Sequence, residues 1–270
     1  MSYETITIEK QGHIRLLRLN RPSRLNAMSQ AMLSEISQAC DEMESDPDCR
    51  IIVVTGEGKA FTPGFDLQDQ AAKTPKGREE WAPVLRRDFD NVIRFLTISK
   101  PTIAAVNGPA LAGGCELAMA CDITLAAESA TFGEPEVKFG AGIVVMLLPW
   151  IVGSKKAKEI AFLGRDNLTA QEACDIGMVN QVIADDNLIE TALSMAKDIA
   201  VVDPMVMRRT KQQMNESLDI AGMTKALERS LEIDIELEAE GSDDKRAFLE
   251  EMRTGGLRAA LAWRDQRFGQ

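Results

Sequence analysis

The chain has 270 residues, 45% of them hydrophobic, with 42 acidic against 31 basic side chains and a formal net charge of −11. The apolar share suffices for a full core. The acidic balance, without any Lys/Arg run interleaved with aromatics, argues against nucleic acid, whose phosphates demand a basic face. Five cysteines, an odd number with no CxxC pair, argue against a disulfide framework or a zinc site and point to a reducing compartment, the cytoplasm.

Ser2–Glu9 alternates like a strand, with neither the basic start nor the apolar run of a signal peptide. Residues 5–9 and 14–20 flank Gln11-Gly12-His13, a hairpin turn. His13, the single histidine, reads as a solvated turn residue, so Ser-His-Asp and Cys-His hydrolysis are excluded. Acid–base chemistry then falls to carboxylates, Lys, Tyr or backbone.

Ser29 is a plausible N-cap, and Met32, Leu33, Ile36, Ala39, Cys40 and Met43 follow at helical spacing until Pro47. Arg50–Gly56 is a buried strand. Residues 57–80 are polar and aperiodic, a connection long enough to be functional. A helix runs to Ser99, Pro101–Val106 is a second strand, another helix starts near Gly113, and Asp122–Ala126 is a third strand. This alternation predicts an α/β core.

The longest apolar run, Ile143–Val152, is too short for a bilayer, is interrupted by Pro149, and reads as a buried helix. Residues 185–200, 203–220, 222–240 and 242–265 read as helices, which divides the chain into a core, 1–184, and a helical region, 185–270. The charge-rich stretch Glu228–Glu240 reads as a solvated helix face.

Two glycine-containing turns follow strands: Gly58–Leu67 and Asn107–Ala118. Neither is a phosphate-cradling motif. The second opens a helix, whose free N–H groups carry partial positive charge. Gly113 and Gly114 let a ligand carbonyl approach the backbone, and an N–H from the first turn facing it would complete an oxyanion hole. The alternative is that these glycines serve only turns and tight packing. Glu116 falls in the first helical turn and Glu136 in Phe132-Gly133-Glu134-Pro135-Glu136-Val137. Apolar and small neighbours favour burial of both and a raised pKa.

Asn20-Arg21-Pro22-Ser23-Arg24-Leu25-Asn26-Ala27, Gly58–Leu67, Lys100–Asp122, Thr131–Val137 and Leu163–Val182 together resemble the enoyl-CoA hydratase/isomerase (crotonase) superfamily. The resemblance implies a spiral of repeated ββα units with a C-terminal helical trimerisation region, as a homotrimer or a dimer of trimers. It implies that residues 1–184 form an acyl-CoA-binding catalytic core in which Phe65 and Gly113 donate to the thioester oxygen and Glu116 and Glu136 are catalytic. CoA is expected along Arg24–Ala27, with Arg24 in place of the family's common Lys. Arg24, Leu25, Ala27, Ala60, Asp66, Leu67, Gly140 and Met146 are the expected substrate contacts. The implied reaction is hydration of a 2-enoyl-CoA through an enolate, without metal, redox cofactor or membrane.

Relatives of this kind usually follow the second glutamate with a Gly-rich segment and a Thr-Gln-Arg-Leu helix start. This chain has Lys138–Trp150, which is shorter and strongly apolar. Phe139 and Ile143–Leu148 therefore predict a dry, restricted acyl pocket, with Met146 adapting to its ligand. Isomerisation through Glu136 alone, thioester hydrolysis through Glu136 and a non-catalytic binding module are the competing readings. The intact glutamate pair and the acidic charge weigh against the last.

Overall fold

The structure, a computed structural model, describes residues 3–72 and 74–269. The expected hairpin is β1 (Ile6–Gln11) and β2 (Ile14–Leu19), with Gln11 opposite Ile14 and an exposed His13 at the turn. Ser29 caps α1 (Gln30–Ser45), its Oγ accepting the Met32 N–H at 3.2 Å. The chain continues through β3 (Ile51–Gly56), α2 (Leu67–Ala72), α3 (Gly77–Thr97), β4 (Thr102–Val106), β5 (Ala110–Leu111), α4 (Gly113–Ala120), β6 (Ile123–Ala127) and β7 (Thr131–Gly133). Then come α5 (Leu148–Val152), α6 (Ser154–Leu163), β8 (Leu168–Thr169), α7 (Ala170–Asp175) and β9 (Gln181–Ile183).

Six strands form one sheet in the order β1-β2-β3-β4-β6-β9, parallel after the first pair, and β5-β7-β8 form a second. Each turn of the spiral thus leaves a strand in the large sheet, a short strand in the small one, and then a helix: β4, β5, α4, and next β6, β7, α5 and α6. This is the expected ββα repeat. β3 and β4 are buried along their whole length, as strands covered on both faces must be.

Four helices follow: α8 (Leu188–Ala200), α9 (Pro204–Ile220), α10 (Met223–Glu240) and α11 (Asp243–Arg267). α8 lies on the large sheet, with Leu188, Ala192 and Ala196 in the main core. Lys211 pins α9 to the core, donating to Phe95 O (3.2 Å), Lys100 O (3.0 Å) and Asp122 Oδ2 (2.8 Å). α10 runs along α3. α11 kinks at Gly256 (φ 79°) and lays Phe248 on Phe139 with ring centroids 5.2 Å apart.

Three sequence expectations change. Residues 57–80 contain α2 and the start of α3. The run Ile143–Val152 is not one helix, since only Leu148–Val152 is helical, with Pro149 in its first turn. Residues 143–147 bend instead, and the Val145 N–H donates to the Glu116 carboxylate at 3.0 Å rather than to a helical carbonyl. The stretch Glu228–Glu240 is solvated on one side only. Glu228 and Glu232 pair with Arg86 and Arg78, while Asp234 and Glu238 turn inward and are buried.

Candidate active site

Two loops face each other where β3 and β4 end. Asn26 braces the first, its Nδ2 donating to Glu57 O (2.9 Å) and Ala60 O (2.8 Å). The Arg21–Asp66 ion pair (2.8 Å) ties the same loop to residues 21–27. Gly64 (φ 98°) precedes Phe65, and Ala112 (φ 52°) precedes Gly113. A positive φ at a residue with a Cβ costs about 1–3 kcal/mol and points to local function. Ala112 bears that strain and Gly64 avoids it, and each of the two turns the peptide that follows it out of regular bonding. Neither the Phe65 nor the Gly113 N–H meets an acceptor among the described residues.

The two turns touch. A Cβ on Gly64 would lie 2.9 Å from the Gly113 nitrogen, and one on Gly114 only 2.1 Å from the Thr62 carbonyl oxygen. These glycines therefore do more than turn the chain. They let the two donor loops approach each other, and Gly113 opens α4 with its partial positive charge.

Three carboxyl groups gather beside these donors. Glu116 is 1% exposed, Glu136 6% and Glu134 fully buried, and one oxygen from each lies within 4.8 Å of the others. Glu116 Oε1 accepts the Val145 N–H, while Glu116 Oε2, Glu136 Oε2 and both Glu134 oxygens have no partner among the described residues. Burial, then the Glu136 charge, pushes Glu116 well above the usual carboxylate range. Burial does the same for Glu134, with Glu136 and Glu116 adding to it. Glu136 rises to about 8, again chiefly through burial. Among the described residues this trio is the one group compact enough to take a cation. A hard divalent ion would require all three ionised and further oxygen ligands, whereas a shared proton requires neither.

A cavity of about 510 Å³ opens onto this chemistry. Arg24, Leu25, Ala27, Phe65, Asp66, Leu67 and Glu136 line it, as do Phe139 and Val144 from the apolar run. Three of the expected contacts do not. The Ala60 carbonyl is engaged by Asn26, and the residue is 1% exposed. Gly140 sits behind the wall against α11, its carbonyl accepting the Ser242 hydroxyl at 2.9 Å. Met146 faces a separate groove with Pro149, Trp150 and Ala226, because the bend at 143–147 points Val144 inward in its place.

The expectation of a dry pocket also changes. Asp234, Glu238, Lys245 and Arg264 line the cavity, all from α10 and α11. No local sequence signal marks them, since charged side chains on a helix ordinarily face water. Glu134 did carry one, as the first acid of the Glu134-Pro135-Glu136 step that follows a buried strand.

Residues 9–253 match the family model described as enoyl-CoA hydratase/isomerase. The chain is 41% identical over 212 residues to a putative enoyl-CoA hydratase of Thermus thermophilus, covering 77% of this chain and 82% of that protein. It is 36% identical over 225 residues to the short-chain-enoyl-CoA hydratase of Clostridium acetobutylicum, covering 81% and 84%. The crystal structure of an enoyl-CoA hydratase/isomerase from Xanthobacter autotrophicus Py2 superposes with a TM-score of 0.97 at 53% identity, covering 98% of this chain and 99% of that one.

Raised carboxyl pKa values make the folded state the better proton binder between about pH 4.5, where the unfolded chain releases its protons, and about pH 8. Stability should therefore fall as pH rises through that window. Glu136→Gln removes one such group, so it should gain stability relative to wild type as pH goes from 5 to 8. Urea unfolding of both proteins across that range checks this, and parallel curves would overturn it.

Proposed function

The chain belongs to the enoyl-CoA hydratase/isomerase family, and on that premise we propose that it adds water across the 2,3 double bond of a 2-enoyl-CoA. One observation carries the reading: the unpartnered Phe65 N–H and the buried Glu136 carboxyl belong to residues that line one cavity, with the unpartnered Gly113 N–H directly after its wall residue Ala112 and the Glu116 carboxyl within 4.8 Å of Glu136.

The thioester oxygen sits at the Phe65 and Gly113 N–H groups. As water adds at Cβ, charge moves onto that oxygen, and each preorganised donor contributes roughly 3 kcal/mol of stabilisation. The Glu116–Glu136 pair cannot hold two charges in so small a buried space. Its ionised member takes the proton of the attacking water, and its protonated member supplies the proton that Cα receives. The two groups titrate as one unit, and returning them to the starting state takes one proton relay between them. Arg24 and Arg264 supply cations for the CoA phosphates against the acidic background. CoA enters as part of the substrate, and the reading asks for no further cofactor.

α9 carries Met205, Val206, Met214, Leu218 and Ile220 exposed to solvent. So large an apolar surface is costly on a monomer and supports a homotrimer, alone or paired. No helix among the described residues is long and apolar enough to cross a membrane. The five cysteines are free thiols, which suits the cytoplasm.

With crotonyl-CoA, loss of the conjugated-thioester absorbance without release of free thiol is the expected result, and thiol release would mean hydrolysis instead. Glu116→Gln and Glu136→Gln should each lower kcat by about 10²–10⁴-fold while leaving CoA-ester binding largely intact. Full activity in Glu116→Gln would overturn the two-carboxyl scheme in favour of isomerisation through Glu136 alone. Light scattering at micromolar concentration should show a trimer or hexamer, and a monomer would remove the α9 interface.

A further inference from the structure

Asp234 is the least explained group in the cavity wall. It is 3% exposed, and neither of its oxygens has a hydrogen-bond partner among the described residues. A carboxyl left in this condition is unfavourable because its desolvation is not offset by a hydrogen bond, and an apolar residue of the same size would avoid that cost. The cations nearby do not relieve it. Lys245 is taken by Glu238 at 2.5 Å and lies over the Trp81 ring, 5.1 Å from its centroid. Asp88, whose charge also acts on Asp234, is itself held by Arg87 at 2.8 Å.

The position of Asp234 is specific. It packs on Gly142, where a Cβ would come within 1.8 Å of its Oδ1, in the loop that also carries Val144 and the Val145 N–H bound to Glu116. Its charge acts on both Glu116 and Glu136. It therefore borders the same cavity as the reacting carbons, on the wall formed by α3, α10 and this loop. Arg24 and Leu25 belong to the loop wall where CoA is placed. Of the groups facing Asp234, Glu238 and Asp88 are acids already paired, and Glu116 and Glu136 are the reacting pair. None can donate to it without leaving its own partner or task.

We propose that Asp234 receives a hydrogen-bond donor carried by the acyl chain beyond Cβ, so that the substrate class is a short enoyl thioester bearing a hydroxyl or an ammonium group rather than a plain alkyl chain. The assignment rests on the hydration reading for its orientation, because the thioester at Phe65 and Gly113 places the acyl tail past Glu136. The donor satisfies Asp234, and an unsubstituted chain leaves it orphaned against a methyl group. Discrimination of this kind is steep, since a buried polar group left unpaired penalises the wrong ligand.

The test begins with the wild-type chain. Calorimetric Kd values for butyryl-CoA and 4-hydroxybutyryl-CoA are compared, with kcat/KM for crotonyl-CoA, trans-4-hydroxycrotonyl-CoA and trans-4-aminocrotonyl-CoA. The substituted compounds are expected to gain about tenfold or more over their alkyl counterparts. A gain confined to the amino compound assigns a cation, and a gain with the hydroxyl assigns a neutral donor. Asp234→Leu should erase the gain. The proposal is overturned if neither substituent improves binding or turnover, or if the gain survives in Asp234→Leu. Crotonyl-CoA hydrated without any such gain defeats the substrate class and leaves the hydratase standing. Tighter binding of 4-hydroxybutyryl-CoA by a chain that hydrates none of the three does the reverse.

Discussion

Backbone N–H groups left without acceptors inside a protein are expensive, and the loops after β3 and β4 are arranged around two of them. A buried amide without a partner costs as much as a lost hydrogen bond, so a chain free to relax would turn Phe65 and Gly113 toward some carbonyl. Several restraints act together against that. Gly64 and Ala112 take positive φ, Asn26 bridges two carbonyls of the first loop, and the Arg21–Asp66 pair locks that loop to its neighbour. Gly114 allows the Thr62 carbonyl to pack where any side chain would collide. The strain and the unspent donors are stable because the parallel strands beneath are buried and cannot shift register.

The carboxyl trio follows from the same geometry. In the proposed reaction the donors define where an oxygen gathers negative charge, and the proton-handling groups must stand within reach without flooding the site with charge. Burying them together achieves this, since mutual repulsion and desolvation hold protons on most of the set. Its maintenance explains the odd apolar run. Val144 and Val145 are placed in a bend so that one backbone N–H can reach Glu116. A regular helix would have used that N–H internally.

Much of this was readable from residues alone, for identifiable reasons. The hairpin, α1, the buried strands and the four C-terminal helices each carry a full period of apolar spacing or a capping residue, and such patterns survive any tertiary context. The short strands β5, β7 and β8 have two or three residues each, too few to show alternation. Glu116, Glu136, Phe65 and Gly113 stood out because they lie inside motifs that combine glycines, a helix start and acids. Met146 and Gly140 fall outside the cavity because of contacts far apart in sequence. Gly140 is held against α11 by Ser242, 102 positions away, and Met146 follows the bend at 143–147, where Val145 bonds a residue 29 positions away. Local hydrophobicity cannot encode those contacts.

The hardest residues to anticipate are those on α10 and α11, and this says something about how the molecule divides its labour. Asp234 and Glu238 stand four apart and so share a helix face, in a stretch where Glu228 and Glu232 pair with surface arginines. Nothing within α10 distinguishes the inward acids from the outward ones. Their burial is decided by α3, which supplies Trp81, and by α11, which supplies Lys245 and then bends at Gly256 to bring Leu257, Leu261 and Arg264 over the cavity. The two tightly braced donor loops thus lie early in the chain, and helices folded back from its end complete the cavity wall. In the proposed reaction, substitutions of Asp234 or Glu238 on α10 would alter which acyl group fits while leaving the donor loops in place, because these side chains line the cavity from α10 rather than from the turns at Gly64 and Ala112. A chemistry held by strained backbone tolerates little change, whereas a wall made of helix side chains can be rewritten one residue at a time.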